Sequence, residues 1–208
     1  MTAPDRERDR LGAERLLAFS DGVLAIALTL LVLPLAELVP EVADPARSGL
    51  PIITDNLAPI GSFVLSFAVI ARFWAAHHRV FDDAPRVSPA VVWVNTAWLF
   101  TIVVLPFPTE MVGSFSDDPF TLRFYVGTLF VSSALLTVMT VLVERSRPGA
   151  SARPTASGGT AGVLLLVFVV TLVAPQVGYW PLLLLFASSP AERLLRPLGE
   201  RWARHRND

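Results

Sequence analysis

The chain has 208 residues, 53% of them hydrophobic and only 17% charged, and its 17 basic residues are all arginine, set against 18 acids. That length fits one domain, and a soluble domain carries about 25% charged residues, so the balance points to a membrane protein and away from disorder. The absence of cysteine excludes a disulfide scaffold, a thiolate-held metal and thiol catalysis, and a net charge of −1 gives no sign of a nucleic-acid partner.

Five long stretches lack Asp, Glu and Arg: 22–36, 56–71, 87–109, 124–143 and 154–191. A helix crossing the hydrocarbon core needs about 20 largely apolar residues. The first stretch reaches that length only if residues 16–21 join it, which places Asp21 in its first turns. The second begins near Pro51, a residue suited to a first helical turn, and runs past Arg72 to Arg79. The last spans 38 residues, about 57 Å as one helix and so too long for a single crossing. Its centre, Ala174-Pro175-Gln176-Val177-Gly178-Tyr179-Trp180-Pro181, is a cluster of breakers that divides it in two.

The pattern therefore predicts an all-α membrane protein whose single domain, 1–208, holds six transmembrane helices. Their expected bounds are 16–36, 52–79, 88–109, 121–143, 158–174 and 179–195. Residues 148–159 read as a flexible linker, and the arginine-rich tail from Glu192, with Trp202, as a segment at the headgroup level. No small-residue cleavage site follows the N-terminal apolar run, so it reads as a retained first span.

Arginine placement orients the six spans. An even count puts both termini on one side, together with 15 of the 17 arginines. Only Arg47 and Arg123 fall opposite, where Glu37, Glu41, Asp44, Glu110, Asp117 and Asp118 also lie. The positive-inside rule makes both termini cytoplasmic, and a multi-pass protein of the plasma membrane is expected.

An ionisable residue inside a span is costly, so Asp21 needs a partner. At about 100° per residue, Ile26, Thr29, Leu30 and Leu33 share one stripe, which Gly22 extends, while Ser20 and Asp21 point away from it. Two arrangements satisfy Asp21. One is a local pairing with Arg15, the stripe then merely meeting neighbours or lipid. The other uses the end of the second span, Arg72-Phe73-Trp74-Ala75-Ala76-His77-His78-Arg79, where Trp74 and His77 share a face and carry N–H donors within reach of Ser20 or Asp21. Asn95 enters at the same level from the third span, completing an interhelical hydrogen-bond layer. The adjacent histidines diverge by about 100°, and zinc needs further ligands, so neither a metal nor another cofactor is expected. Asp21 and His77 lack a third catalytic member, and no phosphate-binding glycine loop is present; the chain does not read as an enzyme.

Arg15-x-x-x-Phe19-Ser20-Asp21-Gly22, followed by an Ala-Ile-Ala-x-Thr-Leu run, resembles the signature of the endolysosomal potassium channel family, transmembrane protein 175 and its bacterial relatives. Trp74-Ala-Ala-His77, and Asn95 followed by Leu105-Pro106-Phe107, are similar to the same family. The resemblance covers the first three spans closely and the last three by count and spacing. It implies a homo-oligomer, four chains around one axis, with the first helix of each lining a central pore for potassium ions across the bilayer. Ile26 would then form the narrowest ring, with Thr29 beside it and Leu30 and Leu33 further out. Arg15, Phe19, Ser20, Asp21, Trp74, His77 and Asn95 would brace the pore helix. Pro34 stands where many bacterial members carry an acid. Passive, modestly potassium-selective conduction is the expected function. A proton leak through the same pore, a secondary transporter and a non-conducting membrane scaffold are the alternatives.

Overall fold

The computed structural model describes residues 3–42, 49–81, 87–115 and 118–146. The expected fifth and sixth spans, the linker and the tail lie outside the described residues. Among the described residues the regular structure is helical: α1 Ala3–Leu30, α2 Leu33–Val42, α3 Leu50–Thr54, α4 Leu57–Phe81, α5 Pro89–Val104, α6 Pro106–Ser114 and α7 Pro119–Arg145. Four segments are long and apolar enough to cross a membrane: Leu11–Val39, Leu57–Phe81, Pro89–Ser114 and Pro119–Arg145.

Proline decides where several of these helices begin and end. Pro34 has no N–H to donate to the carbonyl of Leu30, so the α1 ladder stops and α2 starts with Pro34 in its first turn. Pro106 acts in the same way on the third span. The Leu105 N–H turns to the Ile102 carbonyl at 3.2 Å, and α6 begins afresh at Pro106. The first and third spans, expected unbroken, are thus each divided toward one end. Asp55 and Asn56 separate α3 from α4, so the second span proper starts at Leu57 rather than at residue 52. Side chains cap two other starts. Ser88 accepts from the Val91 N–H at 3.3 Å, and Asp118 accepts from the Thr121 N–H at 3.0 Å and the Thr121 hydroxyl at 2.9 Å. The Thr121 bonds hold the Asp118 carboxyl below the usual carboxylate range.

The core lies where α5 meets α7 and where α4 meets α6 and α7. Trp98, Ile102, Ile70, Leu129 and Met139 are fully enclosed there. At Gly113 α6 lies close against α4, and a methyl group there would come within 3.0 Å of Pro59 Cα and Ser62 Oγ. By contrast α1 leans on α4 and α5 with one face only. That face reads Ala13, Ser20, Leu24 and Ala27, and Leu31 continues it just past the helix end, all buried and spaced by three, four or seven residues.

Candidate functional site

Opposite its buried face, α1 presents the stripe predicted from periodicity. Ile26 is 61% exposed, and Gly22, Thr29 and Leu30 are exposed with it, as is Leu33 at the start of α2, while Leu24 and Ala27 are each 1% exposed. One helix thus carries a sealed face and an uncovered aliphatic face in the single chain. The Thr29 hydroxyl donates to the Ile26 carbonyl at 2.7 Å, which ties the polar member of the stripe to the turn below it.

A chain of hydrogen bonds fixes the rotation of that helix. His77, buried at the end of α4, places Nε2 2.7 Å from Asn95 Oδ1. An amide oxygen only accepts, so Nε2 carries the proton. Asn95 Nδ2 donates to Ser20 Oγ at 3.0 Å, and the Ser20 hydroxyl donates to the Leu16 carbonyl at 2.8 Å. The Ser20 hydroxyl also lies 3.5 Å from Asn95 Oδ1, and together these bonds link α4 through α5 to the α1 backbone. The His77 ring lies flat on Trp98, with centroids 4.5 Å apart and 4° between planes.

Beside this buried chain, nearer the surface, Asp21 takes its own partners. Trp74 Nε1 donates to Asp21 Oδ1 at 2.9 Å, and His78 Nε2 lies 3.5 Å from Asp21 Oδ2. Trp74 and His78 are in ring contact at 4.7 Å. His77 therefore reaches Asn95 rather than Ser20 or Asp21, and Asp21 is met by Trp74 and His78 rather than by Arg15.

Ser20, Asp21, Trp74, His77 and Asn95 are brought together by these bonds. Arg15 and Phe19 are not. Both lie on the exposed side of α1, Phe19 at 61% exposure. The reason is spacing: Phe19 precedes Ile26 by seven residues and Arg15 precedes it by eleven, close to two and three whole turns, so both point along the stripe. Sequence reasoning missed Trp98 and His78. Trp98 follows Asn95 by three residues and so shares its face, a signal that was available. His78 was weighed only as a metal ligand. Among the described residues no group of three or more His, Cys, Asp or Glu is arranged to hold a metal.

A second polar set was also missed. Ser66 Oγ on α4 lies 2.9 Å from the Tyr125 hydroxyl on α7, and Thr109 Oγ1 on α6 lies 2.8 Å from both Ser66 Oγ and the Leu105 carbonyl. Ser66 precedes His77 by eleven residues on the same buried face of α4, so this spacing carried the signal.

Residues 15–106 match the family model described as the endosomal/lysosomal potassium channel TMEM175. A potassium channel of Chryseobacterium sp. (strain P1-3) is 28% identical over 195 residues, which cover 89% of this chain and 97% of that one. The endosomal/lysosomal proton channel TMEM175 of Homo sapiens is 29% identical over 109 residues, 51% of this chain but only 21% of the human protein. Among solved structures, the crystal structure of a lysosomal potassium-selective channel TMEM175 homolog from Chamaesiphon minutus matches the fold. Its TM-score is 0.72 at 23% identity, covering 86% of this chain and 97% of that one.

Proposed function

We propose, from the match of residues 15–106 to the TMEM175 family model and the full-length likeness to a bacterial potassium channel, that this chain is a member of that family of ion channels and conducts potassium passively along the exposed face of α1. The observation that carries the reading is the two-faced α1. Its aliphatic stripe is uncovered while the opposite face is sealed and anchored by hydrogen bonds. A lone chain has no use for such a stripe in its interior, but several copies around an axis bring the stripes together. In this reading four chains form the pore. Ile26 makes the narrowest ring, a hydrophobic constriction that blocks ions when dry. Thr29, Leu30 and Leu33 line the path beyond it, and the bonded set Ser20, Asp21, Trp74, His77 and Asn95 braces the helix. The chain completes six spans, with both termini cytoplasmic in the plasma membrane, on the strength of the arginine distribution.

The full-length bacterial relative is named for potassium, which favours that ion. The name of the human relative keeps a proton path as the second reading. His77 and Asp21 both lie off the stripe, however. His77 is buried beneath Trp98, and Asp21 is engaged by Trp74 and His78.

The test is flux into liposomes holding the purified protein, driven by a potassium gradient alone or by a pH gradient alone. Potassium-dependent flux is expected under the first. Replacing the ring with polar groups (Ile26→Asn) should raise it about tenfold or more by wetting the constriction. Because Ile26 is exposed in the single chain, the folding of each protomer should be unchanged. Absence of flux in the native protein, together with no effect of Ile26→Asn, sinks the proposal.

A further inference from the structure

A cavity of about 210 Å³ lies where α2 meets α4 and α6, and it opens to the surface. Prolines surround it. Pro34 and Pro106, which divide the first and third spans, both line it, and so does Pro59 in the first turn of α4. A helix restarted at a proline bends away from the one before it, so two such bends beside one another leave a gap that straight helices would close. Leu31, Leu35 and Leu38 wall the gap from the side of the first span, and Phe63 and the proline rings complete its apolar lining. Leu30 and Leu33 of the exposed stripe are not among its walls, so the cavity lies behind the stripe and not on it.

Its polar groups are one-sided. Glu37 and Glu110 line it as exposed side chains, and no basic side chain does so among the described residues. Deeper in, the Ser62 hydroxyl donates to the Pro59 carbonyl at 2.9 Å, and the Thr109 hydroxyl lies 2.8 Å from both the Leu105 carbonyl and Ser66 Oγ. Each of these two buried hydroxyls has placed its single proton within the protein, so toward the cavity it has only lone pairs to offer. Two carboxylates and these acceptor oxygens attract a cation that carries N–H donors and repel an anion. A divalent metal takes about six oxygen ligands or more, and among the described residues no group of three or more His, Cys, Asp or Glu is arranged to hold one. Size narrows the choice further. An apolar cavity of about 150 Å³ holds a benzene ring, so this one takes a single ring with a short side chain.

We propose that this cavity is a binding site for a small organic ammonium, one aromatic ring on a short alkylamine, with the ring against the apolar walls and the ammonium at the Glu37 and Glu110 rim. Such an occupant touches α2 and the α4–α6 scaffold at once and ties them together. α2 continues the first span, so the tie restrains the outer end of the pore helix; that consequence rests on the channel reading above, whereas the binding does not.

The experiment is calorimetric titration of the full chain in lipid-free detergent with 2-phenylethylammonium. Its neutral and anionic analogues of similar shape, 2-phenylethanol and 3-phenylpropionate, are titrated beside it. The ammonium should bind at least about tenfold more tightly than either. Glu37→Gln and Glu110→Gln, both at exposed positions, should each weaken it about threefold and together about tenfold. Leu35→Trp, which fills the cavity, should abolish binding, and hydrogen exchange in α2 should slow on adding the ammonium to the native protein but not to this variant. If Leu35→Trp does not fold, the glutamate pair decides alone. Equal binding of the three analogues, or ammonium binding that the glutamate replacements leave unchanged, reports partition into the micelle and overturns the site. Binding as expected by a protein that carries no potassium flux keeps the site and takes down only the channel reading.

Discussion

Two buried polar sets sit on one face of α4 about 16 Å apart, at 1.5 Å per residue, and they hold different things. The set at His77 reaches across α5 to α1 through single bonds passed from His77 to Asn95 to Ser20. The set at Ser66 joins α4, α6 and α7 and leaves α1 out. The helices differ in the same sense. Of the most apolar stretch of each span, only 17% is buried in the first and 44% in the fourth. α7 is held by packing, and its hydroxyl bonds add to that. α1 has little packing to rely on, so a few directed bonds set its rotation. In the channel reading, one set governs how the pore helix is presented, and the other governs whether the scaffold stays folded.

Breaking each set should separate flux from stability. Asn95→Leu has the largest expected effect, because it leaves His77 Nε2 without its acceptor and removes the donor to Ser20. It should cost about 2–4 kcal/mol in denaturant unfolding in detergent and abolish potassium flux in the fraction that still folds. Normal flux in that fraction would show that the bonds do not govern the pore helix. Gly113→Ala comes next. Its methyl group meets the Pro59 backbone and Ser62 at 3.0 Å, and backbone cannot move aside cheaply. A loss of about 1–3 kcal/mol is expected, with flux per folded channel unchanged. Tyr125→Phe removes one hydroxyl from the Ser66 set and should cost about 1 kcal/mol, again without altering flux. A change in conduction here as large as that in Asn95→Leu would erase the distinction between the sets.

The smallest effect is expected outside both, at the start of α7. The Asp118 carboxylate is stabilised by Thr121, so its folded pKa lies below the unfolded value of about 3.9. Its contribution is fully present above that unfolded value and is lost as pH falls through the lower folded one. Hydrogen exchange at the first turn of α7 should accelerate only in that acid range, and Asp118→Ala should make it fast at every pH.

How much of this was legible in the sequence differs from residue to residue. The stripe Ile26, Thr29, Leu30 and Leu33 follows from helical period alone, and it is uncovered on the folded protomer. Asn95 and His77 were legible as polar groups at one depth. Their order in the hydrogen-bond chain was not, because it depends on rotamers set by neighbours such as Trp98. Arg15 and Phe19 stand beside Ser20 and Asp21 in the motif, but the helix turns them toward the side of Ile26, where they are exposed in the single chain. Pro34 and Pro106 both fall near the ends of the expected first and third spans. They prove to divide the first and third candidate spans, because a proline in a first turn starts a new helix as readily as it stops an old one.

The sequence by itself determined that this chain belongs in a membrane, where four of its apolar helices lie, and which side of the first is aliphatic. Composition and period act locally, and helices in a bilayer must satisfy their own backbone whatever their neighbours do. Only the tertiary structure decided which side chains meet: His77 with Asn95, Trp74 and His78 with Asp21, Ser66 with Tyr125 and Thr109. Those meetings join residues 18 to 59 positions apart along the chain. Their partners are chosen by the crossing of helices, which the packing of apolar faces sets and no local sequence pattern specifies.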